Sequence, residues 1–431
     1  MKEEHIAIRD LGIHGEGIGS LDGLTLFVPG MLPKEEGQVK IVERKKNYAV
    51  GKLSSLSQIA EDRQEPLCPL FGKCGGCQLL HLKYEAQVEL KGRRVKEALD
   101  RIGKIEGYKI FPCQPSKEPL FYRNKIQLPV DGAKIGLYAA KSHDIIPVEK
   151  CYIHNENGDT VYRLIREEIQ KNPHLGLRHV WLRSSRKTKE VLVALIVRGK
   201  VGEELRSLAK RIFAHPLVVG VLGGSHDRVD NVLRPDSLHL LCGEEVLEEE
   251  LLGVEVEISM ESFFQVNSSQ AEAIYEKASL LADLQKGASV LDAYCGLGLF
   301  AIFLAKKGAK VTGIEMVEKA IEDAKKNAIR NQVEALFLCG KVEDLIRELP
   351  PYDVVFLNPP RKGCEKIVID TVSRQAPDKI IYTSCDPATL ARDLALFQER
   401  GYKTVEVHPF DLFPQTMHVE TVALLCKNNL K

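Results

Sequence analysis

At 431 residues the chain is longer than one ordinary domain, so two or three domains with their own cores are expected, and 44% hydrophobic with 28% charged residues fits that division. Lys plus Arg and Asp plus Glu stand at 60 each, which excludes a globally basic polyanion binder and leaves only a local patch for nucleic acid. The start Met1-Lys-Glu-Glu-His has no apolar signal-peptide run, and no stretch is apolar for the roughly 18 residues of a membrane helix; a soluble, cytoplasmic chain with no membrane partner is expected.

Short β-rich runs alternate with glycine turns at the start: His5-Ile-Ala-Ile-Arg, Gly15-Glu-Gly-Ile-Gly, Leu24-Thr-Leu-Phe-Val, Gln38-Val-Lys-Ile-Val and Tyr48-Ala-Val-Gly-Lys-Leu. That rhythm predicts a small β-barrel over residues 1–56. Arg44-Lys-Lys-Asn-Tyr, between its last strands, suits either a phosphate backbone or a solvated hairpin tip.

A polar linker ends at Pro66, and Cys68, Cys74 and Cys77 then fall within ten residues. Gly75 and Gly76 suit a chain wrapping a metal, and Cys151 is the nearest candidate for a fourth ligand apart from Cys113. Four thiolates fit tetrahedral zinc or a [4Fe-4S] cluster, and spacing does not choose between them. An odd total of eleven cysteines in a cytoplasmic chain points to metal binding or catalysis, not to disulfides.

Leu82 to Ile102 reads as a charge-rich helix, with Lys91, Arg93, Arg94 and Lys96 expected on a solvated face. From about 120 to 258 strands predominate, with helices near 158–171 and 202–213, which predicts an α+β central domain within 57–262. Part of 82–120 is free to pack on the domain that follows. After Phe263, strands and helices alternate strictly, which predicts an α/β, doubly wound, Rossmann-like sheet over 263–431.

In that last region the strand Val290-Leu-Asp-Ala-Tyr runs into Cys295-Gly-Leu-Gly-Leu-Phe and a helix, and a second strand ends in Glu315, nineteen residues after Gly296. A glycine loop followed by such an acid suits a ligand whose ribose hydroxyls the carboxylate accepts. Gly296-Leu-Gly-Leu-Phe-Ala301 also satisfies a dinucleotide fingerprint, but Asp292 suits a cationic methionine moiety better than a pyrophosphate, so S-adenosylmethionine is expected in place of NAD.

Two further loops leave the carboxyl ends of strands, Asn358-Pro-Pro-Arg361 and Thr383-Ser-Cys385-Asp-Pro387, where open α/β sheets bind ligands. A thiolate that adds to carbon 6 of a uracil turns the ring into an enolate able to attack a methyl group from carbon 5. Cys385 is the candidate nucleophile, with Arg361 and the helix start at Ala388 as candidates to promote its ionisation. A base must then remove the carbon 5 proton, and Glu420, in His418-Val-Glu420, is the candidate. Asn358-Pro-Pro also raises an amino-group methyltransferase of adenine or protein amides, although Arg361 stands where such enzymes carry an aromatic ring. A third alternative is a non-catalytic iron-sulfur RNA-binding protein.

With Cys68, Cys74, Cys77, Cys151, Phe263-Phe-Gln265-Val-Asn267, Asp292-x-x-Cys-Gly-x-Gly, Asn358-Pro-Pro-Arg, Ser384-Cys385-Asp-Pro and His418-Val-Glu420 in this order, the chain resembles the bacterial RNA uridine-5 methyltransferases that act on 23S ribosomal RNA. The barrel resembles their RNA-binding TRAM domain, and Tyr122-Arg-Asn-Lys125 resembles a segment facing RNA. The resemblance implies a [4Fe-4S] cluster on Cys68, Cys74, Cys77 and Cys151, and S-adenosylmethionine contacts from Gln265, Tyr294, Glu315 and Asn358. It also implies Cys385 as nucleophile and Glu420 as general base. The implied partner is 23S rRNA, with tRNA as an alternative, and a monomer is expected. Two positions depart from the family pattern: Asn358, where many members have Asp, and Gly340-Lys341, where an Asp or Asn often meets the adenine. Phe263 and Phe264 suit either stacking on a flipped base or the core.

Overall fold

The computed structural model describes residues 3–226, 235 and 237–428. At the N-terminus six strands lie in the spatial order Glu3–Ala7, Glu36–Arg44, Tyr48–Gln58, Leu24–Val28, Gly17–Leu21, Asp10–Leu11. Their inward side chains, among them Ile6, Leu26, Val28 and Val39, form the core of the OB-like barrel together with Met31. The basic cluster sits at an exposed turn where Arg44 pairs with Asp22 at 3.3 Å and Lys45 with Glu43 at 2.7 Å.

The central region holds a seven-stranded sheet in the order Ile145–Pro147, Lys134–Tyr138, Lys125–Asp131, Leu177–Ser184, Val191–Val197, Val218–Ser225, Leu238–Gly243. Helices Glu156–Lys171 and Glu203–Phe213 supply Val161, Ile165, Leu208 and Ile212 to its core. Val191–Val197 is buried at every residue, which explains its unbroken apolar run.

The C-terminal strands are β1 (Ser289–Ala293), β2 (Lys310–Glu315), β3 (Ala335–Cys339), β4 (Val354–Leu357), β5 (Lys379–Ser384), β6 (Tyr402–Phe410) and β7 (Glu420–Lys427). They lie in the order β3-β2-β1-β4-β5-β7-β6. The pairings from β3 through to β5 are parallel, while β7 runs antiparallel to both of its neighbours. The dinucleotide-binding order is 3-2-1-4-5-6; here β7 is wedged between β5 and β6. Helices α1 (Ser268–Ala282), α2 (Leu299–Lys306) and α3 (Glu318–Arg330) cover one side of the sheet, and α4 (Lys366–Gln375) and α5 (Pro387–Glu399) the other.

Two segments from earlier in the chain complete this layer. The hairpin Val246–Leu251/Val254–Ser259 adds Leu251, Val254, Val256 and Ile258 to the core that contains Val290. The helix Tyr84–Ala98 buries Val95, with Leu99 after it, among the residues of α5, and Lys109–Ile110 pairs with β6. This helix does not present its charges wholly to water: Lys91 is fully buried, because it meets Asp411 at 2.5 Å. Among the described residues no helix is long and apolar enough to cross a membrane.

Candidate active site

The loop after β1 carries three residues in the left-handed region, Tyr294 (φ +73°), Gly296 (+56°) and Gly298 (+80°). At Gly298 glycine is required by space as well as conformation: a Cβ there would lie 2.8 Å from Ala324 and 2.9 Å from Phe337. Glu315 ends β2 beside the loop, accepting from the Gly296 amide at 3.3 Å and from the Val317 amide at 3.0 Å.

Gln265, Tyr294 and Asn358 line one pocket together with Phe263, Asp292 and Thr383; Glu315 stands directly behind it, through Gly296. Asp292 is buried and its Oδ2 has no hydrogen-bond partner; burial, then the neighbouring Glu315, raises its carboxyl to about 7. A cation placed here would relieve that unpaired carboxylate. The two phenylalanines separate: Phe264 is core, whereas Phe263 is 69% exposed at the pocket lip. Lys341, after β3, is exposed and outside this lining.

The register of β4 and β5 pairs Leu357 with Tyr382, so Asn358 and Thr383 emerge side by side on the rim. Cys385 follows two residues later, half-buried. The β5–β7 register pairs Ser384 with Thr421, which brings Glu420 to the same end of the sheet as Cys385. Burial raises the Cys385 thiol, and Glu420 adds to the rise; the Arg361 guanidinium nearby acts in the opposite direction. Burial alone raises the Glu420 carboxyl to about 8. Arg361 Nη2 also donates to His418 Nε2 at 3.1 Å, so one guanidinium ties the Asn-Pro-Pro loop to the loop before β7.

One expected helper of the thiol is not available to it. The first amides of α5, Ala388 and Thr389, both donate to Asp386 Oδ1 at 2.9 Å, so the helix start is capped by a carboxylate that itself raises the Cys385 thiol. Of the groups around the Cys385 thiol, Arg361 is the one that lowers it.

Cys68, Cys74, Cys77 and Cys151 converge on one largely apolar cavity with Leu70, Phe71 and Leu80. The Cys77 thiol is raised by burial and then by Cys151, Cys74 and Cys68, which places all four sulfurs in one electrostatic neighbourhood. A set made only of thiols suits soft metal centres. Among the described residues, however, no group of three or more His, Cys, Asp or Glu side chains is arranged to hold a metal ion.

The segment expected to face RNA forms a seam with remote loops, and its Tyr122 and Asn124 also line an open cavity with Arg186 and Lys189. Tyr122 is buried and donates to the Pro414 carbonyl at 3.1 Å, Asn124 donates to the Gln265 carbonyl at 2.9 Å, and Lys125 to the Met260 carbonyl at 2.8 Å. No local pattern announces these partners, which lie more than a hundred residues away in sequence.

Comparison with known proteins places this site in a family. A TRAM domain matches residues 2–54, a methyltransferase domain residues 290–365, and the tRNA (Uracil-5-)-methyltransferase family residues 341–428. An uncharacterized RNA methyltransferase of Clostridium tetani is 39% identical, covering 98% of this chain and 95% of that protein, and one of Halalkalibacterium halodurans is 38% identical over 97% and 96%. The crystal structure of Pyrococcus abyssi tRNA (uracil-54, C5)-methyltransferase with S-adenosyl-L-homocysteine matches with a TM-score of 0.79 and 29% identity, covering 98% of this chain and 100% of that one.

The chain belongs to the TRAM-containing RNA uracil-5 methyltransferase family. It is an S-adenosylmethionine-dependent RNA methyltransferase, and both the amino-group and the non-catalytic alternatives give way. Arg361 agrees with that outcome: where an amino-group enzyme would carry a stacking aromatic ring stands a guanidinium bonded to His418 and acting on the Cys385 thiol.

Proposed function

We propose that this enzyme methylates carbon 5 of a specific uridine in RNA, in 23S rRNA by the resemblance, through a covalent adduct between Cys385 and carbon 6. The observation that carries the mechanism is the meeting of Cys385, Arg361 and Glu420 at the rim of the pocket that holds Asp292 and Asn358.

The Cys385 thiolate, favoured by Arg361, adds to carbon 6, and the electron pair of the 5,6 double bond moves onto the carbon 4 oxygen. S-adenosylmethionine, which Gln265, Tyr294, Glu315 and Asn358 would hold with Asp292 facing its cation, would give its methyl group to carbon 5 of the enolate and leave as S-adenosylhomocysteine. Glu420 takes the carbon 5 proton; its bonding pair re-forms the double bond and expels the Cys385 thiolate. A base with a carboxyl near 8 is well matched to a neutral operating pH.

Cys68, Cys74, Cys77 and Cys151 are proposed to hold a [4Fe-4S] cluster with a structural or RNA-facing role. The support is their convergence on one cavity together with the resemblance to the 23S enzymes. The proposed division is a barrel over 1–56, an iron-sulfur and RNA-binding region over 57–262 and a catalytic domain over 263–431, working as a cytoplasmic monomer.

A second reading, a tRNA uridine, is favoured by the Pyrococcus abyssi enzyme, whose RNA is tRNA. Incubating the enzyme with labelled S-adenosylmethionine and either unmodified 23S rRNA or unmodified tRNA, then digesting to nucleosides, separates the two. Label in 5-methyluridine from 23S rRNA alone supports the proposal; label from tRNA alone moves the substrate to tRNA.

A further inference from the structure

We propose that Gln415 is a positioning residue for Glu420 and that, with Gln87, it couples the cysteine-lined segment to the base; this rests on the reading of Cys385 as nucleophile and Glu420 as base. The loop between β6 and β7 ends in Glu420 and carries His418. Gln415, in its middle, is 4% exposed and has φ +68°. A glycine would take that backbone freely, whereas a side chain persists there only when its surroundings over-determine it.

The surroundings do so from three directions. The Gln415 carbonyl accepts from the amides of Gln78 and Leu79 at 2.9 and 3.0 Å, one and two residues beyond Cys77. The Gln415 amide donates to Gln87 Oε1 at 3.1 Å, and Gln87 Nε2 donates back to Gln415 Oε1 at 2.9 Å. Gln415 Nε2 donates to the Pro119 carbonyl at 3.3 Å. Every polar atom of this one residue is therefore engaged.

Its neighbours are held by the same helix, Tyr84–Ala98. Lys91 reaches Asp411 Oδ1 at 2.5 Å and the Phe413 carbonyl at 3.0 Å, and Arg94 donates to the Met417 carbonyl. The barrel joins at this point too: a Cβ at Gly15 would lie 2.9 Å from Gln78 and 3.4 Å from Met417. The barrel and the cysteine segment thus meet the loop three to five residues before Glu420.

A misplaced Glu420 would leave thiol addition and methyl transfer intact but slow removal of the carbon 5 proton, so the methylated covalent adduct would persist. A displacement of about 1 Å at a reacting group can cost on the order of 10²-fold in rate.

The test uses the full-length enzyme with substrate RNA and labelled S-adenosylmethionine, comparing wild type, Gln415→Gly, Gln87→Ala and Glu420→Gln. Gln415→Gly is compatible with the left-handed backbone and removes the buried side chain, its two methylenes together with the amide. The expected result for both glutamine variants is a cooperatively folded enzyme, its thermal unfolding lowered modestly by the lost buried hydrogen bonds, with S-adenosylmethionine affinity near wild type, kcat lowered about 10²-fold and a denaturation-resistant, methyl-labelled protein–RNA adduct accumulating. Wild-type turnover, or a loss of activity that follows lost folding or cofactor binding without adduct, would overturn the proposal. Glu420→Gln separates the two readings: if it accumulates adduct and Gln415→Gly does not, positioning fails alone, whereas normal turnover by Glu420→Gln overturns the base itself.

Discussion

Ser384 and Thr421 are cross-strand partners on β5 and β7, and this single pairing decides that Cys385 and Glu420 leave the sheet together. Residues 35 positions apart become one proposed catalytic pair because β7 runs antiparallel between β5 and β6. Arg361, from the loop after β4, closes the group: it bonds His418 and lowers the Cys385 thiol against the effect of burial.

Replacing Arg361 with Gln should remove the interaction that offsets the burial of the Cys385 thiol. The thiol should then ionise at higher pH, and turnover at pH 7 should fall about tenfold for every pH unit by which its ionisation moves upward. Alkylation of Cys385 by iodoacetamide across pH measures this directly; an unchanged profile would remove Arg361 from the mechanism.

Glu420 gives a stability prediction whose sign is fixed. Its carboxyl is near 8 when folded and has a reference value of 4.5, so between those values the folded state holds the extra proton. That contribution is present below 4.5 and is lost as pH rises through 8. Thermal unfolding of the wild type should therefore decline from about pH 6 to pH 9 more steeply than that of Glu420→Gln, and kcat should rise toward pH 8 in the wild type with this limb absent in the variant. Parallel stability curves would show that Glu420 is not buried as a neutral acid.

Asp292 makes cofactor binding pH-dependent. Its carboxyl, raised to about 7, is half-protonated at neutrality, and a cationic ligand favours the ionised form. S-adenosylmethionine affinity should strengthen from about pH 6 to pH 8 with release of a proton, and Asp292→Asn should bind more weakly and flatten the dependence. Calorimetry in buffers of different ionisation enthalpy counts the proton; none released would place Asp292 away from the cation.

Much of this is legible in the sequence, and the part that is not has a common cause. The alternating strands, the glycine loop with Glu315, and the loops carrying Asn358 and Cys385 are local patterns set by backbone geometry. Phe263 and Phe264 read alike, and only packing against Ile274 and Leu299 in one core separates the buried ring from the exposed one. Lys91 reads as part of a wet helix face; its partner Asp411 is 320 residues distant, so nothing nearby hints at burial. One signal is present: Gln87, Leu90, Lys91 and Val95 follow helical spacing and form the buried stripe. The partners of Tyr122–Lys125 are hidden from the sequence for the same reason, since they are carbonyls of remote loops.

The cysteine quartet predicts about four iron atoms and as many sulfides per chain in protein purified without oxygen. Cys77→Ser should lose the iron and lower thermal stability, because Cys77 is the sulfur on which the other three act. Zinc in a one-to-one ratio, or no metal with unchanged stability, would contradict the cluster.

The most direct test of the central claim is to incubate the enzyme and S-adenosylmethionine with substrate RNA in which 5-fluorouridine replaces uridine. Fluorine at carbon 5 leaves no proton for Glu420 to remove, so the adduct cannot eliminate the thiolate. The account predicts a denaturation-resistant protein–RNA complex whose peptide mass spectrum carries a methylated fluorouracil on Cys385. Absence of a complex under conditions where ordinary RNA is methylated, or attachment at another residue, would contradict it.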